Sequence, residues 1–158
     1  MRRKDREVTD INDIISIIEK CEVCRVAFTN NEIPYIVPLN FGYCYEDNNL
    51  TLYFHCAKEG KKLDMLRNNA NVCFEFDCSH QVISGERAIN YTYEYESVIG
   101  FGQMQEVTDY ADKEKGLQIL MQTYAKEKTF DFTKKEVDCV TVLKLVATEV
   151  TGKRHIKR

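Results

Sequence analysis

Apolar residues recur at every second position along most of the chain, and three stretches show helical spacing instead. The helical stretches are 11–20, 61–68 and 110–126. Asp10 and Asp13 are placed to cap the first stretch, and the pair Asn68-Asn69 ends the second. The third has an apolar face built on Leu117, Leu120, Met121 and Tyr124. The pattern therefore predicts three helices separated by extended segments.

The alternating segments predict six strands, at 24–29, 34–45, 50–56, 71–77, 91–107 and 140–150. Asn30-Asn31-Glu32 indicates a hairpin turn after the first strand, and Pro38 should break or bend the second. Gly100 and Gly102 predict a bend or a close backbone approach in the fifth strand. Few helices separate these strands, which argues for a mainly β protein: an antiparallel, Greek-key-like, six-stranded barrel with flanking helices.

Composition limits the class of protein. The chain has 158 residues, 44% of them hydrophobic and 30% charged, which suits one globular domain over 1–158. Basic tails lie at 1–6 and 153–158, but the net charge of −3 gives no general footprint for nucleic acid. The start of the chain does not have the pattern of a signal peptide, and no apolar run is long enough for a membrane span, so we expect a cytoplasmic protein.

The cysteines favour reduced thiols over a disulfide framework. There are seven of them, an odd number, and most lie in apolar strand patterns where a thiol acts as a small hydrophobe. Cys21 and Cys24 have the C-x-x-C spacing of zinc and redox sites. No second pair with suitable spacing follows them, so we expect no metal.

The segment 52–67 carries the strongest functional signal. A strand that ends at His55 gives way to Gly60 and then to adjacent lysines, Lys61 and Lys62, at the start of a short helix. Helix-start N–H groups and two ammonium groups can converge on one anion, and a phosphate is the common ligand that needs this arrangement. The other interpretation is that both lysines are the solvated face of a helix.

The remaining polar residues suggest few acid–base groups. His55 is a weak catalytic candidate, since a histidine near a strand end is as often structural. His80 and His155 have no constellation around them, and Tyr43 is a candidate for substrate contact. No Walker loop, serine triad or dinucleotide fingerprint occurs.

The order of these features resembles the flavin-binding split-barrel family that includes pyridoxamine 5′-phosphate oxidase, and more closely its nitroimidazole-resistance-type branch. The resemblance covers nearly the whole chain. It is carried by PYIVPLNFG (34–42), LYFHCAKEGKK (52–62), NNANVCF (68–74) and SVIGFG (97–102).

The resemblance implies a homodimer that holds flavin mononucleotide (FMN) in clefts between its subunits. The backbone of Val37, Pro38, Leu39 and Asn40 would face the flavin ring. The other implied cofactor contacts are His55, Cys56, the phosphate-binding pair Lys61 and Lys62, and Ser97, often from the partner subunit. Val37 replaces an arginine of the oxidase, and the oxidase's C-terminal substrate residues have no match here, which argues against pyridoxamine phosphate oxidation.

Three functions follow as hypotheses. The preferred one is an FMN-dependent oxidoreductase that passes electrons from NADH or NADPH to a small planar acceptor, with nitroimidazole reduction as the chemistry that the branch suggests. The second is a non-catalytic flavin or haem carrier or sensor in which a histidine such as His55 could be the axial ligand. The third is a structural barrel with an empty cleft.

Overall fold

The computed structural model describes residues 2–30 and 33–156. The strands are β1 (Glu7–Val8), β2 (Cys24–Phe28), β3 (Tyr35–Leu39), β4 (Gly42–Glu46), β5 (Asn49–Cys56), β6 (Asn71–Ile83), β7 (Thr92–Val107) and β8 (Thr141–His155). The helices are α1 (Ile11–Ile18), α2 (Lys61–Asn68), α3 (Tyr110–Tyr124) and α4 (Lys134–Asp138), with 3₁₀ turns at Lys4–Arg6 and Ala88–Asn90. Among the described helices, none has the length and apolar character needed to cross a membrane.

One antiparallel sheet contains all eight strands. Its order is β3-β2-β6-β7-β8-β5-β4, and β1 pairs with the C-terminal end of β8. The hydrogen-bonded path is not closed, because the end strands β3 and β4 do not pair with each other in the described part of the chain. The fold is therefore the mainly β split barrel predicted from the sequence, with eight strands rather than six and an opening between β3 and β4.

The opening lies where the sequence predicted one continuous strand. That strand is divided just before Phe41, whose side chain is fully buried and packs edge-on against Phe76 at 4.8 Å between ring centroids. The Phe41 N–H donates to the Tyr124 hydroxyl at 3.0 Å instead of to a strand. The predicted break at Pro38 is wrong, since Pro38 pairs with Arg25 inside β3. An edge strand tolerates proline because one side of it needs no ladder hydrogen bonds.

Several boundaries also differ from the prediction. β8 runs on to His155, so residues 153–155 are strand rather than tail. β6 takes in the first part of the unassigned segment 78–90, and the third helix ends at Tyr124. The predicted close approach is confirmed: a Cβ at Gly100 would overlap the Phe74 ring, and a bulge follows Phe101. The hairpin turn predicted at 30–32 falls partly on residues outside the described ranges.

Helices cover both faces of the sheet. α1 inserts Ile14, Ile17 and Ile18 into the main core, where they join the inward side chains of β2, β5, β6, β7 and β8. α3 packs on the opposite face, against β4, β5 and β8. The close approach of α3 requires Gly42, because a Cβ there would overlap the backbone of Leu120.

A buried carboxylate links α1 to three strands. The Glu96 side chain on β7 is 1% exposed and accepts hydrogen bonds from Lys20 Nζ at 2.7 Å, Ser79 Oγ at 2.7 Å and Arg154 Nε at 2.6 Å. Burial alone would raise the pKa of Glu96, but these three donors lower it to about 2. Glu96 therefore stays ionised and ties the end of α1 to β6, β7 and β8.

Replacement of this carboxylate tests its contribution. Glu96→Gln removes the buried counter-charge of Lys20 and Arg154, while Arg154 keeps its exposed contact with Asp13 at 3.4 Å. We expect the variant to lower the free energy of unfolding at pH 7 by about 3 kcal/mol. The folded pKa lies below the unfolded one, so the stabilisation is present above about pH 4.5 and is lost as pH falls toward 2. Urea unfolding at pH 7 and pH 3 measures the free energy of unfolding of both proteins. The difference between wild type and variant should be roughly half as large at pH 3 as at pH 7.

A matched control lies on the same strand. Glu106→Gln removes an exposed pair with Arg67, whose Nε lies 2.7 Å from the Glu106 carboxylate, and should cost less than about 1 kcal/mol. Equal costs for the two variants would show that burial of Glu96 adds nothing.

Candidate functional site

α2 begins without a side-chain cap. Its N-cap residue is Gly60, with φ 141° and ψ 161°, a conformation that glycine adopts without strain. The Gly60 carbonyl accepts from the N–H groups of Leu63 at 2.9 Å and Asp64 at 3.2 Å. Within the described residues, no side chain caps the start of this helix, and a Cβ at Gly60 would meet nothing within 4 Å. The start of α2 is therefore open to an anion.

The two lysines at this helix start extend in different directions. Lys61 is exposed, and its Nζ lies 4.6 Å above the Tyr35 ring of β3. Lys62 is half-buried and lies near Cys56 at the end of β5. Burial raises the pKa of the Cys56 thiol, and the positive charge of Lys62 acts in the opposite direction. The start of α2 thus lies between β3 and the end of β5, which brings together three of the predicted site segments.

The predicted ring-binding segment belongs to an edge strand and its exit. Val37 and Leu39 pack against the main core, whereas Pro38 and Asn40 are exposed on the other face. Among the strands of the described ranges, β3 pairs only with β2, so one side of its backbone has no strand partner there. Backbone N–H and C=O groups on that side can hydrogen-bond a ligand. The contact of these four residues with a flavin ring stays a prediction.

His55 and Cys56 point to opposite faces of β5. Cys56 is part of the main core, whereas His55 is exposed. His55 lines a cavity of about 230 Å³ whose other walls come from α3, from α4 with the loop before it, and from the residue just before β8. The remaining lining residues are Leu117, Leu120, Met121, Phe132, Glu136 and Val140. A ligand on one face of the sheet can therefore contact only one of these two side chains. Because side chains alternate along a strand, this could be predicted from the sequence.

Ser97 lies far along β7 from α2. α2 is anchored to the other end of β7 by the ion pair between Arg67 and Glu106. Ser97 precedes Glu106 by nine residues on one strand, which corresponds to about 30 Å. Its neighbours across the sheet are Asp77 and Lys153. Ser97 is therefore not next to Lys61 and Lys62 of its own protomer.

Tyr43 is engaged elsewhere. Its hydroxyl donates to Glu19 Oε1 at 2.6 Å, and partial burial together with this hydrogen bond raises the pKa of Tyr43 to about 12. Tyr43 lines a cavity of about 450 Å³ between α1 and α3, with Glu19, Ile119, Gln122, Thr123 and Lys126. The structure therefore groups Tyr43 with α1 and α3 rather than with the start of α2.

The C-x-x-C cysteines are both buried. Burial strongly raises the pKa of Cys21 and of Cys24, and the Cys21 thiol donates to the Ile17 carbonyl at 3.2 Å. Among residues 2–30 and 33–156, no group of three or more His, Cys, Asp and Glu side chains is arranged to hold a metal ion.

The sequence did not reveal Tyr35 or a cluster of four residues. Tyr35 lies within the motif 34–42 but was not singled out, and its ring lies 4.6 Å from Lys61 Nζ. Tyr95 on β7, Lys153 and His155 on β8, and Arg6 in the 3₁₀ turn before β1 form the cluster. Only the pairing of β1 with β8 and of β8 with β7 brings these four together, so no local pattern could have revealed them.

Comparisons with known proteins identify the family of this chain. The sequence profile described as pyridoxamine 5′-phosphate oxidase matches residues 10–154. A candidate 5-nitroimidazole antibiotic resistance protein from Bacteroides thetaiotaomicron VPI-5482 is 34% identical, with a TM-score of 0.81 over 94% of this chain and 86% of that chain. Among curated proteins, none matches significantly.

Two more distant structures share the fold. The flavocytochrome Anf3 of Azotobacter vinelandii is 18% identical, with a TM-score of 0.80 over 99% of this chain and 72% of that chain. A FAD- and haem-binding protein of Mycobacterium smegmatis is 17% identical, with a TM-score of 0.82 over 96% and 74%.

The profile match spans almost the whole chain, and the 34% identical structure covers most of it with the same fold. The chain belongs to the pyridoxamine 5′-phosphate oxidase family of split-barrel proteins.

Proposed function

We propose that this protein is an FMN-binding oxidoreductase whose cofactor phosphate is held at the start of α2. The observation that carries the proposal is the uncapped helix start at Gly60, with two adjacent lysines extending toward β3 and β5. The N–H groups of the first turn and the ammonium groups of Lys61 and Lys62 would hold the phosphate. Each charged hydrogen bond contributes about 1.5–3 kcal/mol.

A second pair of adjacent lysines, at the start of α4, does not form such a site. α4 also begins with adjacent lysines, Lys134 and Lys135, but Thr133 caps it in a reciprocal capping box with Glu136. The helix-start N–H group that Thr133 bonds is therefore not free for a ligand, and Lys134 pairs with Asp138 at 2.6 Å. Of these two lysine pairs, only the pair at α2 has ammonium groups available to a ligand beside an open helix start.

The unpaired side of β3 is the proposed position of the flavin ring. Backbone groups of Val37, Leu39 and Asn40 would bond its polar edge, and the exposed side chains of Pro38 and Asn40 would contact its face. A bound flavin supplies hydride and electron transfer itself. The protein therefore has to bind it, orient it and exclude water, which agrees with the scarcity of acid–base groups near α2.

We further propose that two protomers complete each site. The exposed sheet face carries an apolar row in which Ile36 opposes Ala27, Ala27 opposes Cys73 and Cys73 opposes Phe101. Ile36 on the edge strand β3 is 61% exposed and Phe101 on the central strand β7 is 50% exposed, so the row ends in a large exposed apolar side chain on each side. Pairing through this outer face would also explain how Ser97, about 30 Å along β7 from α2, could reach a cofactor on the partner.

The acceptor is proposed to be a small planar molecule. The similar Bacteroides protein is a candidate 5-nitroimidazole resistance protein, so nitroimidazoles are the first acceptors to test on this chain. NADH and NADPH are the proposed donors.

The visible absorption spectrum of the purified protein tests the function directly. We expect bands near roughly 370 and 450 nm that bleach when NADH or NADPH is added without oxygen, as for a redox-active flavin. A protein that is colourless and does not bind added FMN would contradict the proposal, and a Soret band would favour the haem alternative.

The phosphate site is tested by a double variant. Lys61→Ala/Lys62→Ala removes two charged contacts, and we expect the dissociation constant for FMN to rise by about 10² to 10⁴-fold. Fluorescence titration of the flavin-free protein measures it. Lys134→Ala/Lys135→Ala is the matched control and should bind FMN as wild type does. Unchanged affinity in the α2 variant would sink the phosphate assignment.

The subunit arrangement is tested at the apolar row. Phe101→Glu places a carboxylate in the centre of the proposed interface, so analytical ultracentrifugation should show a dimer for wild type and a monomer for this variant. Ile89→Glu is the control, since Ile89 is 86% exposed in the turn between β6 and β7. A wild-type monomer, or a variant that dimerises as wild type does, would refute this interface.

A further inference from the structure

Tyr95 lies among cations on the outer face of β7. The Arg6 guanidinium donates to the Tyr95 hydroxyl at 3.4 Å, and Lys153 Nζ lies 5.3 Å from the centroid of its ring. Two cations therefore contact the Tyr95 side chain, one at its hydroxyl and one at its ring.

This arrangement changes the acidity of the phenol. Partial burial would raise the pKa of Tyr95, but hydrogen bonds from Lys153 and Arg6, together with their charges, lower it. Arg3 is also close enough to interact with Tyr95, although Asp5 holds its guanidinium at 2.6 Å. The cations stabilise the phenolate, so Tyr95 gives up its proton more readily than an ordinary tyrosine.

His155 completes the cluster. Its Nε2 lies 3.4 Å from Arg6 Nη2 and 3.2 Å from Thr92 Oγ1. A guanidinium only donates, so Nε2 is the acceptor in the contact with Arg6. His155 therefore positions Arg6 against Tyr95.

The position of Tyr95 relates it to the proposed cofactor site. Tyr95 and Ser97 are two residues apart on one strand, so their side chains lie on the same face about 7 Å from each other. Ser97 is the residue proposed to reach the cofactor of the partner subunit. The Tyr95 hydroxyl would then lie beside an acceptor bound next to that cofactor.

We propose that Tyr95 is the acid that protonates the reduced acceptor, with Lys153 and Arg6 stabilising the phenolate that remains. This inference rests on the proposed function, in which NAD(P)H supplies the electrons through the bound cofactor. An acceptor such as a quinone gains a hydride equivalent, two electrons and one proton, and becomes an anion. The Tyr95 O–H bond breaks, its proton bonds to the acceptor oxygen, and water then reprotonates the phenolate.

The acidity can be measured without turnover. In protein labelled with ¹³C at the tyrosine Cζ, one of the nine tyrosine signals should titrate below the others and should be missing in Tyr95→Phe. Lys153→Met should move that titration to higher pH, because it removes one of the cations. A Tyr95 signal that titrates with the other tyrosines, or above them, would overturn the proposal.

Two acceptors separate this proposal from the proposed function. Menadione, a quinone, takes up protons on reduction, whereas ferricyanide takes up an electron only. Tyr95→Phe should lower kcat for menadione by about 10²-fold and leave ferricyanide reduction unchanged. Wild-type menadione reduction should fall as pH rises through the pKa of Tyr95, and Lys153→Met should shift that fall to higher pH.

Tyr93→Phe is the matched control. Tyr93 lies on the same strand and face, two residues before Tyr95. Its ring stacks on the His80 ring at 5.8 Å between centroids. It should reduce both acceptors as wild type does. Wild-type rates with menadione in Tyr95→Phe would refute the role of Tyr95 alone, whereas a wild type that does not reduce ferricyanide would refute the proposed function and this inference together.

Discussion

The buried carboxylate of Glu96 is the interaction on which the exposed face of the sheet depends. It receives Lys20, Ser79 and Arg154 from three different parts of the chain, and it does so on the inner face of β7. Side chains alternate along a strand, so an inward Glu96 forces Tyr95 and Ser97 outward. A slip of one residue would reverse both and place a carboxylate on the surface. Charge pairing in the core thus sets what the outer face presents.

A second constraint is the corner just before Phe41. Because Phe41 turns into the core, the chain leaves β3 and begins β4 at the opposite end of the sheet path. β3 keeps one unpaired side as a result, and α2 lies beside it through the contact of Lys61 with Tyr35. A continuous strand would have paired these backbone groups and removed the place proposed for the flavin ring. The opening of the barrel and the candidate site therefore have one cause.

Local patterns predicted much of this architecture. α2 has the predicted bounds, 61–68, because its lysines, apolar stripe and terminal asparagines are all local signals. The same holds for β2 and β5, which begin or end within one residue of the prediction. The division at Phe41 was missed because its N–H is taken by Tyr124, 83 residues away. The C-terminal part of β8 was missed because β1 and β7 hold it in place, and composition alone favoured a solvated tail.

The same difference between local and distant signals applies to the candidate site. Lys61 and Lys62 could be found from the sequence because glycine, lysine and helix start are neighbours. Tyr95 could not, since nothing near it in the sequence is basic. The basic segment at the end of the chain was predicted to be a tail. Because side chains alternate along β8, its charged residues lie on two opposite faces of the sheet.

Arg154 opposes Glu96 and turns inward to neutralise it, whereas Lys153 and His155 lie on the face of Ser97 and Tyr95. A basic segment therefore has two roles. One cation helps to hold the core together, and its neighbour on the outer face lies over the ring of a phenol. Pairing of β1 beside Lys153 brings Arg6 to the same phenol. The chemistry available at Tyr95 is therefore a consequence of strand register. The sequences of the two termini alone do not predict that register.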